Sequence, residues 1–250
     1  MENKEKQPLA LVTGGGSGIG LAIAKKFTEN GIRTIILGRD PEKLKSAKKM
    51  LGPLCEDIRF DLDRLSTLPG LVKDLAARFG RVTILVNNAG VNLKKEFTEV
   101  TDDEFQQVLL TNVAAVFAIS RELAKQMLEN GNGSIINISS MASQYGIPKV
   151  IAYSASKSAI EGMTRAMAVD LSPRGIRVNC IAPGFIETEM SSKALNGDQE
   201  RMQKVLSRTP MGTLGRPEDI AEAAFFFATA SSRFITGVVL PVDGGNSIGF

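Results

Sequence analysis

Short apolar runs alternate along the chain with longer stretches in which apolar residues recur every three to four positions. The runs Leu9 to Thr13, Thr34 to Leu37, Asp57 to Phe60, Thr83 to Asn87, Ser134 to Ser139, Arg177 to Ile181 and Val238 to Val242 predict strands. They lack the polar alternation of a sheet with one wet face, so they predict strands covered on both sides. Helical periodicity predicts helices over 18–30, 41–50, 65–79, 101–130, 150–172 and 217–230. Strand and helix alternating this often imply right-handed crossovers and therefore a doubly wound α/β fold, a parallel sheet with helices on both faces, in a single domain. Such sheets bind ligands beyond the carboxyl ends of their strands, so chemistry is sought in the loops that follow each strand.

Local chemistry supports two of the boundaries. Asp40-Pro41-Glu42 reads as an N-cap followed by a proline at the first helical position, and Arg216-Pro217-Glu218-Asp219 opens the last helix in the same manner. The segment Glu187 to Pro210 is polar, weakly periodic and rich in Ser, Met and Lys. A connection of that length predicts a lid over the site, at about 187–210.

Composition narrows the chemistry further. The chain has 250 residues, 43% apolar, enough for a large core without covalent staples. Thirty Lys and Arg against 27 Asp and Glu leave a net charge of +3, spread along the chain, which argues against a nucleic-acid-binding tail. Lys43, Lys45, Lys48 and Lys49 fall on one short helix and read as its solvated face. There is no His, which removes Ser-His-Asp hydrolysis and the usual zinc ligand sets. The two cysteines, Cys55 and Cys180, read as buried thiols in a reducing compartment. Met1 to Gln7 is polar and no apolar run reaches the length of a membrane span, so a cytoplasmic protein without a membrane partner is expected.

Directly after the first strand comes Thr13-Gly14-Gly15-Gly16-Ser17-Gly18-Ile19-Gly20, then an apolar helix. Glycines let a backbone turn tightly against a pyrophosphate, and a helix N-terminus supplies free N–H donors. Gly14, Ser17, Gly18, Ile19 and Gly20 are accordingly candidates for holding a dinucleotide in a Rossmann fold. The end of the second strand selects which one. An acid there holds the ribose 2′-hydroxyl of NAD, a cation the 2′-phosphate of NADP. Gly38 stands at the acid position and Arg39 follows it, which favours NADP(H) over NAD(H); Asp40 could meet a ribose, but its cap role accounts for it equally.

With His absent, Tyr153-Ser154-Ala155-Ser156-Lys157 becomes informative. Residues four apart share a helix face, so the phenol and the ammonium can point into one cleft. A phenol of pKa about 10 is a poor acid or base at neutral pH, and a neighbouring cation would favour its phenolate. Ser139-Ser140, at the end of the fifth strand, could present a hydroxyl to a substrate carbonyl beside that phenol.

Thr13-Gly14-x-x-x-Gly18-x-Gly20, Asn87-Asn88-Ala89-Gly90, Asn112, Ser140, Tyr153-x-x-x-Lys157 and Pro183-Gly184 occur in this order, at spacings that resemble the short-chain dehydrogenase/reductase family along essentially the whole chain. The resemblance implies that Ser140 orients a carbonyl, that Tyr153 is the general acid in reduction and the base in oxidation, and that Lys157 lowers the Tyr153 pKa while holding the nicotinamide ribose. It implies that Asn112 positions a water linking Lys157 to solvent. Asn88, Ala89 and Gly90 would border the adenosine and its ribose, and Asp61 and Leu62 would contact the adenine. Pro183, Gly184, Ile186 and Thr188 would hold the nicotinamide carboxamide.

The implied reaction is hydride transfer between NADP(H) and a ketone or secondary alcohol, with no metal. Pro183 to Met190 and Ile235 to Gly245 resemble 3-oxoacyl-acyl-carrier-protein reductases, which makes an acyl thioester, and acyl carrier protein as its bearer, the first substrate reading. Arg174 is a candidate contact for such an acidic carrier. Val91 to Lys95 and Ser140 to Ser143 look more like gluconate and related sugar-acid dehydrogenases, where Lys94 or Lys95 could attract a carboxylate. Relatives are commonly homotetramers, and the Ala-rich stretch from Ala152 to Leu171 offers small side chains for close packing. A non-catalytic nucleotide-binding scaffold is the remaining alternative, which loss of Tyr153 or Lys157 would have favoured.

Overall fold

Strands β1 (Leu9–Thr13), β2 (Arg33–Gly38), β3 (Cys55–Arg59), β4 (Ile84–Asn87), β5 (Gly133–Ile138), β6 (Ile176–Pro183) and β7 (Val239–Val242) form one sheet. Its order is β3-β2-β1-β4-β5-β6-β7, with every neighbouring pair parallel. This is a computed structural model, and it describes residues 7–188 and 199–249.

Side chains alternate through the pleat into two cores. Ala10 and Val12 of β1 join Ile23, Phe27, Leu44 and Phe227, while Leu9 and Leu11 join Leu75, Ile119, Leu123 and Met127. Helices α1 (Gly18–Glu29), α2 (Pro41–Leu51) and α8 (Pro217–Ala228) therefore cover one face. Helices α3 (Leu68–Phe79), α5 (Ala115–Asn130) and α6 (Ile151–Leu171) cover the other. Burial on both sides is why the strands read as unbroken apolar runs. Strand order reverses at β1, whose neighbours are β2 on one side and β4 on the other, and the crevice at that switch opens at the carboxyl edge.

The expected elements are present with shifted ends, the largest shift being α3, which begins at Leu68 rather than at residue 65 because Leu65–Thr67 forms a separate 3-10 turn. Asp40 caps α2 as expected, accepting from the backbone N–H groups of Glu42 and Lys43 at 3.0 and 3.1 Å. The Asp219 carboxylate likewise reaches back to the N–H of Arg216 at 2.7 Å.

The helix expected over 101–130 is divided. Asp102–Leu109 is α4, Leu110–Ala114 is a π-helical turn, and α5 follows. This long helix also carries an 18-residue window with a mean hydropathy of 1.2, so by length and composition it could cross a membrane, contrary to the sequence reading. Its apolar residues Ala115, Ile119, Leu123 and Met127 are instead buried in the core. Of the expected lid, residues 189–198 lie outside the described residues; Gln199–Arg208 forms helix α7, which weak periodicity had not suggested.

Candidate active site

β1 delivers Thr13 and Gly14 to the carboxyl edge, and the chain turns at Gly14 (φ +66°) into α1. Ser17 sits at the N-cap in extended conformation and makes no side-chain cap bond to the helix. The turn is packed too tightly for any side chain at Gly20, where a Cβ would lie 2.3 Å from the Gly14 carbonyl oxygen and 2.5 Å from Asn88 Nδ2.

Thr13 and Asn88 fasten this turn to the segment after β4. Thr13 Oγ1 accepts from the backbone N–H groups of Asn88 and Ala89, both at 3.0 Å, and donates to the Val86 carbonyl at 3.2 Å. Asn88 Nδ2 donates to the carbonyls of Thr13 and Gly14 at 3.0 and 3.3 Å. Thr13 and Asn88 thus make the two loops one rigid wall, a role that the sequence motifs alone did not disclose.

One cleft of about 610 Å³ unites the candidates from distant parts of the chain. Its one side is Gly14, Ser17, Gly18, Ile19 and Asn88 to Gly90. Its other side is Ser140, Tyr153 and Lys157, with Pro183, Gly184, Ile186 and Thr188 completing it. Lys43, Val91, Ile147 and Phe185 line the same cleft, and the sequence reading assigns none of them an individual role in holding the dinucleotide or in the reaction. Gly20 and Asn112 are buried just behind the lining. Arg39, Asp61 and Leu62 are not among the lining residues: Arg39 is exposed beyond β2, and Leu62 is packed into the core with Ile35 and Leu37.

Tyr153 and Lys157 lie on α6, and the Lys157 ammonium is 5.4 Å from the Tyr153 ring centroid. Lys157 is 5% exposed and donates to the Ile138 carbonyl at 2.8 Å. Burial draws its pKa down to about 8. Burial also raises the Tyr153 phenol above its ordinary value, against a hydrogen bond with Ser140 that pulls the other way. Within the chain's own groups, desolvation of the phenolate is therefore the largest influence on this phenol. Ser140 caps the turn Met141–Ser143, accepting from Ala142 N–H at 3.2 Å.

A depressed lysine pKa has a measurable consequence. Between pH 8 and 10.5 the unfolded chain holds a proton that folded Lys157 has released, so this residue makes stability rise with pH across that window. The stability difference between Lys157→Met and the parent should shift by about 2 kcal/mol in the parent's favour from pH 7 to 9.5. Urea titrations of both proteins at the two pH values check this, and a constant difference would contradict it.

Asn112 lies in the π-helical turn, an arrangement that often marks functional sites. Its Oδ1 accepts from the Val91 N–H at 2.8 Å, and its Nδ2 donates to the Val91 carbonyl at 2.9 Å and to Ser156 Oγ at 3.0 Å. The side-chain amide is committed to fixing the loop after β4 and the helix that carries Tyr153. The three substrate-binding cations considered from the sequence are placed differently, Lys94 being exposed and not among the lining residues. Lys95 is ion-paired with Glu104 at 2.9 Å. Arg174 precedes β6, at the amino edge of the sheet, and is not among the residues lining the cleft.

The seven-stranded parallel sheet and its carboxyl-edge cleft define a Rossmann-class protein. Residues 14–247 match the family model described as enoyl-(acyl carrier protein) reductase. The chain is 38% identical over 244 residues to a 3alpha-hydroxysteroid dehydrogenase of Mediterraneibacter gnavus, spanning 96% of each. It is 36% identical over 240 residues to the 3-oxoacyl-[acyl-carrier-protein] reductase of Chlamydia trachomatis, spanning 94% of this chain and 96% of the relative. A gluconate 5-dehydrogenase from Burkholderia cenocepacia, solved in complex with NADP and tartrate, superposes with a TM-score of 0.92 at 33% identity, covering 97% of this chain and 96% of that one. The chain belongs to the short-chain dehydrogenase/reductase family and is an oxidoreductase.

Proposed function

We propose that the protein transfers a hydride between NADP(H) and a ketone or secondary alcohol, with a 3-oxoacyl thioester borne by acyl carrier protein as its substrate. The observation that carries this reading is the convergence of Ser140, Tyr153 and Lys157 on the cleft walled by the first glycine turn. That wall fits a dinucleotide: Gly14 and Gly18 line it with no side chain of their own, and the first turn of α1 has no side-chain cap.

Gly14, Ser17, Gly18, Ile19 and Gly20 would hold the pyrophosphate, Asn88 to Gly90 the adenosine ribose, and Asp61, with the main chain of Leu62, the adenine. Pro183, Gly184, Ile186 and Thr188 would hold the carboxamide. A bound nicotinamide dinucleotide supplies or accepts the hydride. Ser140 donates to the substrate carbonyl oxygen, and Tyr153 gives that oxygen its proton in reduction and removes it in oxidation. The raised pKa of Tyr153 keeps the phenol protonated at neutral pH, which suits reduction. Lys157 would orient the nicotinamide ribose, and Asn112, through its main chain because its amide is engaged by Val91 and Ser156, would position the water through which the Lys157 ammonium exchanges protons with solvent.

Two observations support the finer choices. The Asp40 carboxylate is occupied by the α2 cap, leaving exposed Arg39 as the charge next to the second strand, as a 2′-phosphate requires. Val91, Ala142, Ile147, Val150 and Phe185 make the mouth largely apolar, which suits an acyl chain better than a polyol acid. Exposed Phe117 on α5 and Val169 on α6 support a homotetramer, and two buried free thiols support a reducing cytoplasm.

Initial rates with NADPH and NADH against acetoacetyl thioesters, 5-ketogluconate and simple diketones test this reading. The thioester with NADPH should be fastest, and Arg39→Ala should raise the KM for NADPH about 10- to 100-fold while leaving that for NADH unchanged. A faster rate with 5-ketogluconate would replace the thioester by a sugar acid. Turnover of none of these carbonyls with either dinucleotide would favour the scaffold reading.

A further inference from the structure

We infer that Glu161 is a positioning residue for Ser140, an inference that rests on the catalytic reading above. Glu161 lies one turn beyond Lys157 on α6, so Tyr153, Lys157 and Glu161 follow one another at intervals of four residues along one helix face. Its Oε1 accepts from Ser139 Oγ at 3.0 Å and from Ser143 Oγ. These two hydroxyls bracket Ser140. Ser139 ends the run of β5, its N–H bonded to the Ile181 carbonyl at 2.8 Å. Ser143 closes the short turn after it, with its N–H on the Ser140 carbonyl at 3.0 Å. A second tie comes from Ser158 on α6, whose hydroxyl donates to the Ser143 carbonyl at 3.3 Å.

The arrangement has a mechanical meaning. The helix that carries the phenol also grips, through one carboxylate oxygen, both ends of the turn that presents the Ser140 hydroxyl. Each grip is a charge-assisted bond, stronger than the alternatives open to these serines at the Ile181 and Ser140 carbonyls. Glu161 touches no part of the cleft itself, since the lining comprises Ser139 and Ser140 but neither Glu161 nor Ser143. Its effect on the reaction therefore passes through the placement of Ser140 relative to Tyr153. A displacement of about 1 Å in such a group is enough to cost roughly 100-fold in rate.

The test is a double-mutant cycle on the full-length protein, with kcat, KM, NADPH affinity and thermal midpoint measured for each variant. Glu161→Ala should lower kcat about 10- to 100-fold with NADPH affinity within about two-fold of the parent. Glu161→Gln retains an acceptor oxygen for both serines and should keep most of the rate. In a Ser140→Ala background, Glu161→Ala should lower kcat by less than about two-fold, because the group it positions is already gone. Ser143→Ala, which removes one hydroxyl without altering α6, should move kcat in the same direction and covers the case of a Glu161→Ala protein that does not fold. Equal losses in both backgrounds, or a parallel loss of NADPH affinity, would make Glu161 merely structural. An unchanged kcat in Glu161→Ala beside an inactive Ser140→Ala overturns this inference alone. A fully active Ser140→Ala overturns the catalytic reading and this inference with it.

Discussion

A Tyr153→Phe protein should bind NADPH as tightly as the parent and reduce its ketone substrate about 1,000-fold more slowly. The substitution deletes one oxygen. The ring stays where it stacks beside Lys157, whose ammonium is 5.4 Å from the ring centroid and is anchored independently by the Ile138 carbonyl. The glycine turn is held by Thr13 and Asn88, neither of which touches Tyr153, so the dinucleotide wall should be unaffected. What disappears is the group proposed to give the carbonyl oxygen its proton, together with its bond to Ser140. Because burial raises the phenol's pKa, the parent's oxidation rate should climb through the alkaline range while its reduction rate stays flat near neutrality. Equilibrium titration of NADPH fluorescence and steady-state rates in both directions measure these quantities. A Phe variant with parental kcat would remove Tyr153 from the reaction.

The sequence disclosed the sheet because burial on both faces leaves a signal independent of neighbours: β1, β2, β4, β5 and β6 are runs in which almost every residue is buried. It disclosed Tyr153 and Lys157 for a related reason, since a spacing of four on a helix fixes their common face before anything packs against them. Tertiary properties were illegible. The π-helical turn at Leu110–Ala114 has no periodic signature of its own, yet it turns the Asn112 amide toward both Val91 and Ser156. The balance of burial and charge at Tyr153 could not be read from spacing either: within the chain's own groups burial has the largest influence on the phenol. Arg174 and Lys95 illustrate the same limit. A charge is visible in a sequence, but whether it faces the cleft, the opposite edge of the sheet or an acidic partner depends on topology and pairing.

The second large effect is expected at a position with no side chain. A methyl group placed on Gly20 would lie 2.3 Å from the Gly14 carbonyl oxygen and 2.5 Å from Asn88 Nδ2, far inside contact distance. Neither neighbour can retreat cheaply. Gly14 is held in a left-handed conformation at the end of β1, and its N–H is bonded to the Leu37 carbonyl at 2.7 Å. The Asn88 amide is tied to the carbonyls of Thr13 and Gly14. Gly20→Ala must therefore push the phosphate turn and the loop after β4 apart, the two surfaces that a dinucleotide has to bridge. Overpacking of this kind costs about 1–3 kcal/mol of stability. Displacement of the cradle should in addition weaken NADPH at least about 100-fold, close to 3 kcal/mol of binding energy. Gly16→Ala is the matched comparison, because its added Cβ would meet Leu44 and Lys43 at an ordinary 3.5 Å, and its thermal midpoint should stay near that of the parent. Thermal unfolding and NADPH titration of the two variants separate these outcomes. Parental affinity and stability in Gly20→Ala would mean that the first turn of α1 is not the cradle, and the dinucleotide would have to be placed elsewhere in the cleft.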